Sequence, residues 1–152
     1  MSARERLADL GLELPPPPAP AAAYVPHTRV GDIVVTAGQL PLVAGTLVAT
    51  GRVGDDVTLE QAQDAARIAA LNLLAVAADA ADGDLDRVRV VKLTVFVSSA
   101  DDFVEQHLVA NGASLLLAEV LGDDGIHARS AVGVPRLPLD APVEVEAMLA
   151  LS

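Results

Sequence analysis

The number of predicted strands relative to predicted helices most constrains the fold of this chain, because there are too few helices to cover both faces of the sheet that the strands would form. The hydrophobic spacing predicts two long helices, from Thr58 to about Ala80 and from about Asp102 to Leu121. It also predicts five or six strands. Two helices can cover only one face of such a sheet, so the other face is expected to be open. Another copy of the chain is the simplest cover for that face.

The strand patterns begin with a hairpin and are interrupted by the two helices. They cover Tyr24–Thr28, Ile33–Ala37, Thr46–Thr50, Val88–Ser98, Ala128–Val134 and Val143–Leu151. Gly31-Asp32, between the first two strands, is a hairpin signal. Thr58 and Gln61 have capping-box spacing at the start of the first long helix. Ser99 or Asp101 is the expected cap of the second.

The N-terminal segment differs in composition from the rest of the chain. Residues 3–10 have the spacing of a short helix, which the proline run from Pro15 to Pro18, followed by Ala19-Pro20, brings to an end. We therefore expect residues 1–21 to form an N-terminal helix and Pro-rich lead-in. Residues 22–152 are expected to form one domain.

The amino-acid composition indicates which residues form the core and argues against several kinds of site and partner. Aromatic residues are only 2% of the chain, so the core must consist of Ala, Val and Leu. The absence of cysteine rules out disulfides, thiolate nucleophiles and Cys-based metal sites. The net charge of −11 disfavours nucleic acid as a partner, because phosphate binding needs a basic surface. Neither His27 nor His127 has a second ligand at metal spacing, so no metal site is expected.

The chain shows no pattern for export or membrane insertion. Its first residues lead into a charged amphipathic segment and lack the apolar stretch of a signal peptide. No apolar run approaches the roughly 20 residues that a membrane-spanning helix needs. We therefore expect a soluble, cytoplasmic protein without membrane contact.

The strand pattern around Arg129 marks a candidate site. Alternate residues of a strand share a face, so Arg129 stands beside the small side chains of Ala131 and Gly133. A guanidinium with free space around it suits a carboxylate bound through two parallel hydrogen bonds. Glu144 and Glu146 share one face of the last strand, which is expected to lie next to the strand of Arg129. An ordinary ion pair across the sheet explains the same pattern equally well.

We expect the open sheet face to mix charged and apolar side chains. Its predicted members are Arg129, Ala131, Glu144, Glu146, Met148, Thr94 and Phe96. Such a set is too apolar to be left in water and too charged to be a simple core, which again favours contact with another subunit.

Several separated motifs resemble those of one known family. They are Tyr24-Val25, Val35-Thr36-Ala37-Gly38-Gln39-Leu40-Pro41, Val95-Phe96-Val97, Ala128-Arg129-Ser130-Ala131-Val132, Leu137-Pro138 and Glu144-Val145-Glu146. Over residues 22–151 the chain resembles the reactive intermediate deaminase family, also called RidA, YjgF or endoribonuclease L-PSP. Residues 111–114 and 127–134 are similar to a YjgF-like branch with a longer N-terminus.

The resemblance implies a fold, an assembly and a reaction. The fold is α+β and chorismate-mutase-like, with a mostly antiparallel sheet and two helices on one face. The assembly is a homotrimer whose sheets line a central barrel, with a ligand cleft at each subunit interface. The reaction is hydrolysis of 2-imino or 2-enamino acids to 2-oxo acids and ammonia, without a metal or organic cofactor.

The resemblance also implies roles for individual residues. Arg129 stands at the position that binds the substrate carboxylate, and Glu144 stands at the position that handles the attacking water. The other expected substrate-binding positions are Tyr24, Ala37, Gly38, Phe96, His107 and Ala131. Three of these depart from the archetype of the family: Ala37 replaces a serine, Ala131 a cysteine and His107 an asparagine.

Two further functions stay open at this point. An arginine cleft can bind or sense small carboxylates without turning them over. The family was also named for endoribonuclease and translation-inhibitor activity, which the acidic charge and the scarcity of aromatic side chains oppose. His107 is equally compatible with a cleft imidazole and with an ordinary core or helix-surface histidine.

Overall fold

The computed structural model describes residues 1–19 and 23–152, and in them it contains three α-helices and seven strands. The helices are α1 (Ala3–Asp9), α2 (Leu59–Ala80) and α3 (Gln106–Leu121). The strands are β1 (His27–Val30), β2 (Ile33–Thr36), β3 (Leu42–Val43), β4 (Thr46–Leu47), β5 (Val88–Ser98), β6 (Ala128–Val134) and β7 (Val143–Leu151). None of the described helices is long and apolar enough to cross a membrane.

Five strands form one sheet in the order β1-β2-β7-β5-β6. Neighbouring strands are antiparallel except β5 and β6, which run parallel. The predicted α+β fold with a mostly antiparallel sheet is therefore confirmed. The predicted strand Thr46–Thr50 shortens to β4, which pairs with β3 in a separate two-stranded sheet.

The strands that carry Arg129 and Glu144 are not neighbours, so that part of the sequence interpretation is wrong. β5 lies between β6 and β7 and pairs with both. The physical reason is the helix between β5 and β6: α3 returns the chain to the starting end of β5, so that β6 pairs with β5 in the parallel direction. β7 then occupies the opposite edge of β5.

Helices α2 and α3 cover one face of the sheet and pack against each other. The largest fully buried side chains are Leu73, Leu74, Leu93, Leu116, Leu117, Leu149 and several valines. Both Phe side chains stay half-buried, so the core does consist of Ala, Val and Leu. At the helix crossing, Gly112 lies directly on the backbone of Gln63, whose side-chain amide donates to the carbonyl of Leu108.

The strand register places Arg129 and Glu144 on opposite faces of the sheet. Arg129 is aligned with Leu93, which is buried under the helices. Glu144 is aligned with Phe96, on the face that the helices leave open. The prediction that Arg129 and Ala131 share the open face with Glu144 is therefore wrong, because parallel partners in a sheet point to the same side.

Helix α2 begins as the sequence indicates, and α3 does not. The Thr58 hydroxyl accepts from the Gln61 backbone N–H, and the Gln61 side chain accepts from the Thr58 N–H, which completes the capping box. Helix α3 begins only at Gln106, and neither Ser99 nor Asp101 caps it. The Gln106 side chain donates instead to Ser99 Oγ and the Phe103 carbonyl, which stabilises a turn over residues 99–105.

The end of β2 is irregular beside the candidate site. The Thr36 hydroxyl accepts a hydrogen bond from the Ala147 backbone N–H at 3.0 Å. Pairing with β7 resumes only at Gln39, which exchanges two backbone hydrogen bonds with Val145. Between these two points β2 has one residue more than β7, as in a β-bulge, so Ala37 and Gly38 lie outside the strand that was predicted to include Ala37.

Helix α1 belongs to the same core as the sheet and the long helices. Ala3 and Leu7 are buried in it, and Ser2 caps the helix through a capping box with Glu5. The Arg6 guanidinium donates to the Val120 carbonyl near the end of α3. Pro20 and the boundary expected between residues 21 and 22 lie outside the described residues.

Replacing Gly112 by Ala tests the close approach of α2 and α3. A Cβ at this position would overlap the backbone carbonyl of Gln63, so we expect Gly112→Ala to lower the free energy of unfolding by about 1 to 3 kcal/mol. Helix propensity alone would raise it, because Ala is favoured over Gly in a helix. Urea unfolding measures the sign of the change in the free energy of unfolding. Leu115→Ala, at an exposed position of the same helix, is the control. A more stable Gly112→Ala variant would contradict the observed packing.

Candidate functional site

Arg129 is held at the edge of the sheet by hydrogen bonds to α3. Its Nη1 donates to Asn111 Oδ1 at 2.9 Å and to Ser114 Oγ at 3.1 Å. Its Nη2 donates to the backbone carbonyl of His107 at 3.1 Å. The side chain is half-buried, and these bonds fix both the position of the guanidinium and its rotation.

The bonds to α3 engage one side of the guanidinium and leave another available. Among the described residues, Nη1 has two acceptors, Nη2 has one, and Nε has none. Nε–H and one hydrogen of Nη2 lie on the same edge of the planar group. This edge can hold a carboxylate through two parallel hydrogen bonds while the contacts to α3 persist.

Sequence reasoning missed the side chains that position Arg129. Asn111 and Ser114 appeared only as part of a motif, without a role. Their signal was their spacing: residues 107, 111 and 114 follow the i, i+4, i+7 rule and therefore share one side of a helix. His107 contributes its carbonyl oxygen, whereas its imidazole side chain is exposed.

Glu144 occupies the open face of the sheet, above the irregular end of β2. Its carboxylate lies directly against Gly38, where a Cβ would overlap Oε1. Burial raises the pKa of the Glu144 carboxyl above its usual value, and the negative charge of Glu146 raises it further. Phe96 is half-buried and lies opposite Glu144 on β5.

The predicted site residues thus fall into two groups within one chain. Arg129, Ala131 and the backbone of His107 form one group under α3, and Ala131 packs against the core. Glu144, Gly38 and Phe96 form the other group on the open face. Ala37 is half-buried beside Gly38, and Tyr24 is 63% exposed.

The space beside Arg129 is smaller than the strand pattern indicated. Gly133 was expected to leave room for a ligand. In the structure a Cβ on Gly133 would lie only 2.8 Å from Gln106 Nε2 and 3.1 Å from Ser99 Oγ. The side chains of Gln106 and Ser99 therefore occupy the space on the side of Gly133 where a Cβ would lie, although Gly133 itself is exposed.

Other parts of the described structure do not add to the site. A cavity of about 790 Å³ lies between α1 and the turn Gly83–Asp86, and none of the predicted site residues lines it. Within residues 1–19 and 23–152, no group of three or more His, Asp or Glu side chains converges as metal ligands would.

Replacing Glu144 by Gln tests the raised pKa. A carboxyl whose pKa is raised in the folded state is most stabilising when protonated, and this contribution is lost as pH rises through the folded pKa. We therefore expect Glu144→Gln to unfold at a higher temperature than wild type at pH 7. The difference should close below about pH 4.5, the ordinary value, where wild type is protonated in both states. Scanning calorimetry across this pH range measures the two unfolding temperatures, and Glu13→Gln, at an exposed position, is the control. A Glu144→Gln variant that unfolds at a lower temperature than wild type at pH 7 would contradict the raised pKa.

Comparison with known proteins identifies the family of this chain. The family model described as "YjgF/chorismate mutase-like, putative endoribonuclease" matches residues 4–150. Protein TCP17 of Trypanosoma cruzi is 48% identical over 147 residues, which cover 94% of this chain and 90% of that protein. The 2-iminobutanoate/2-iminopropanoate deaminase of Salmonella typhimurium is 31% identical over 137 residues, which cover 86% of this chain and 89% of the enzyme.

A solved structure has the same fold. Protein Atu1372 of Agrobacterium tumefaciens, described as having unknown function, superimposes with a TM-score of 0.91 at 47% identity, over 98% of this chain and 91% of that one. The resemblance inferred from the sequence motifs is thereby confirmed. The chain belongs to the YjgF/chorismate mutase-like family, which is the RidA family.

Proposed function

We propose that the protein hydrolyses reactive 2-imino or 2-enamino acids to 2-oxo acids and ammonia. The observation that carries the proposal is the guanidinium of Arg129, which α3 holds in one orientation with its Nε edge available. Such an edge matches the carboxylate that all these substrates share. The relation to an enzyme named 2-iminobutanoate/2-iminopropanoate deaminase supports the same substrate class.

The proposed site needs two copies of the chain. Arg129 and Glu144 lie on opposite faces of one sheet, so a single chain cannot direct both at one small molecule. The open face also exposes apolar side chains, including Val35, Val132 and Met148. We propose a homotrimer in which this face is covered by neighbouring subunits and Arg129 of one subunit meets Glu144 of the next.

The reaction requires only groups that these residues supply. Arg129 holds the carboxylate and so fixes the imine carbon beside the carboxylate of Glu144. Glu144 takes a proton from a water molecule, whose oxygen forms a bond to the imine carbon, and the Glu144 carboxyl group passes this proton to the nitrogen, which gives a carbinolamine. Glu144 then takes the proton of the new hydroxyl group and passes it to the amino nitrogen, the carbon–nitrogen bond breaks, and the products are the 2-oxo acid and ammonia.

The environment of Glu144 suits a general base. An ordinary glutamate is too weak a base to deprotonate water efficiently near neutral pH. Burial and the neighbouring Glu146 raise the pKa of Glu144 and so strengthen it as a base. Gly38 allows the carboxylate to approach the backbone, which a larger residue would prevent.

Of the two other functions, binding without turnover would share this site, and cleavage of RNA receives less support. A trimer that binds small carboxylates without turnover would use the same arginine, and the lack of a hydroxyl at Ala37 and of a thiol at Ala131 leaves the site fewer polar groups for catalysis. Cleavage of RNA would require binding to phosphates, which a net charge of −11 opposes.

Substitution of Arg129 tests the carboxylate site. We expect Arg129→Ala to lose about 2 to 5 kcal/mol of binding to 2-oxobutyrate and of transition-state stabilisation, the range for removing one partner of a desolvated charge pair. Arg129→Lys should recover only part of this, because an ammonium group cannot make the planar two-point contact. Calorimetry measures binding. The rate of 2-oxo acid formation from an imine, made in place by excess amino-acid oxidase, measures turnover.

The matched control is Arg136→Ala, which removes an exposed arginine that pairs with Asp140. Circular dichroism shows whether each variant remains folded. Equal binding and turnover in wild type and Arg129→Ala would refute the role of Arg129. Binding that depends on Arg129 without any acceleration of imine hydrolysis by wild type would favour the sensor function.

Mixing two inactive variants tests the shared site. Arg129→Ala and Glu144→Gln are each expected to be inactive alone. In trimers that contain both variants, selected with two different affinity tags, about one site in three combines an intact Arg129 with an intact Glu144 from its neighbour. We therefore expect such mixed trimers to recover about a third of the wild-type rate.

Two results would contradict the shared site. Mixed assemblies without activity would mean that each site takes both residues from one chain. A monomeric mass by light scattering at micromolar concentration would exclude the assembly itself.

A further inference from the structure

His127 connects Arg129 to the turn that follows α3. Its Nδ1 lies 2.6 Å from the carbonyl oxygen of Gly125, and its Nε2 lies 2.9 Å from Ser114 Oγ. The same Ser114 oxygen lies 3.1 Å from Arg129 Nη1. His127 and Ser114 are both half-buried. A continuous series of hydrogen bonds therefore runs from Gly125 through His127 and Ser114 to Arg129. The proposed reaction gives His127 no role.

The direction of each bond in this series follows from the chemistry of its ends. A carbonyl oxygen can only accept, so Nδ1 of His127 carries the hydrogen. In a neutral imidazole Nε2 is then an acceptor, and the Ser114 hydroxyl must donate to it. The lone pairs of Ser114 Oγ remain available to accept from Arg129 Nη1. A hydroxyl that would otherwise rotate freely is thus fixed with its acceptor side toward the guanidinium.

We propose that His127 is a positioning residue for Arg129. By orienting the Ser114 hydroxyl, His127 holds the guanidinium in the rotation that presents its Nε edge to a ligand, although the imidazole itself does not touch the ligand. The expected effect of His127 on carboxylate binding rests on the proposed function. The positioning itself is a property of the free protein and is tested without a ligand.

The expected effect comes from preorganisation. A guanidinium that rotates freely must lose this freedom when it binds a carboxylate, which weakens binding. Asn111 and the His107 carbonyl provide two of the constraints on Arg129, and Ser114 provides the third. Loss of His127 releases the third constraint, because the Ser114 hydroxyl is then free to turn its hydrogen toward other acceptors.

Nitrogen NMR of the free protein provides the first test. In the neutral imidazole, we expect Nδ1 of His127 to carry the hydrogen and Nε2 to lack it. We also expect slow rotation about the Cζ–Nη1 bond of Arg129 in wild type, and faster rotation in His127→Leu and Ser114→Ala. His127→Gln, whose side-chain oxygen can accept from Ser114, should restore slow rotation. His27→Leu, which removes a histidine bound to Asp79, is the control.

Binding of 2-oxobutyrate provides the second test. We expect His127→Leu to weaken binding about 2- to 10-fold, the effect of one hydrogen bond, and His127→Gln to bind nearly as wild type does. A hydrogen on Nε2, or unchanged rotation of Arg129 in His127→Leu, would overturn the positioning role. Equal affinity of wild type and His127→Leu would overturn its effect on binding.

The two proposals fail in different ways. If wild type binds no 2-oxobutyrate, the proposed function is wrong, while the NMR measurements still decide whether His127 positions Arg129. If wild type binds and turns over its substrate but the His127 variants match it in rotation and affinity, only the positioning role is wrong.

Discussion

The parallel pairing of β6 with β5 is the constraint on which the rest of the site depends. It aligns Arg129 with Leu93 and so directs the arginine under α3. A shift of one residue would exchange the two faces of β6 and place Ser130 where Arg129 now lies. The alternating Leu93, Val95 and Val97, all fully buried against the helices, fix which face of β5 points to the core, and Arg129 and Ala131 are aligned with residues of that face.

Close packing by small residues brings α3 within reach of Arg129. Gly112 allows α3 to lie on the backbone of α2, and Gly125 allows the turn after α3 to lie on the carbonyl of Leu117. A core with few aromatic residues needs such close approach to exclude voids. One result is that Asn111 and Ser114 lie within hydrogen-bond distance of the guanidinium, so the packing of the core also determines the orientation of the charge.

The surroundings of Arg129 favour its charged form, whereas those of Glu144 disfavour its charged form. Arg129 is satisfied on one side by neutral acceptors and keeps its positive charge. Glu144 is partly desolvated beside a like charge, which destabilises its ionised form in the single chain.

Local patterns in the sequence determined the elements of this fold, and the tertiary structure decided how they meet. The helical repeat of α2 with its capping box, the long strand β5 and the motifs around Arg129 depend on residues a few positions apart, so the sequence alone identified them. The late start of α3 depends on the side chain of Gln106, and the strand order depends on the path of the chain through α3. Asn111 and Ser114 were visible as residues, but their common partner Arg129 was not, and neither was the hydrogen bond from Ser114 to His127. Which face Arg129 occupies is a matter of register between strands far apart in sequence, and only long-range pairing and core packing fix that register.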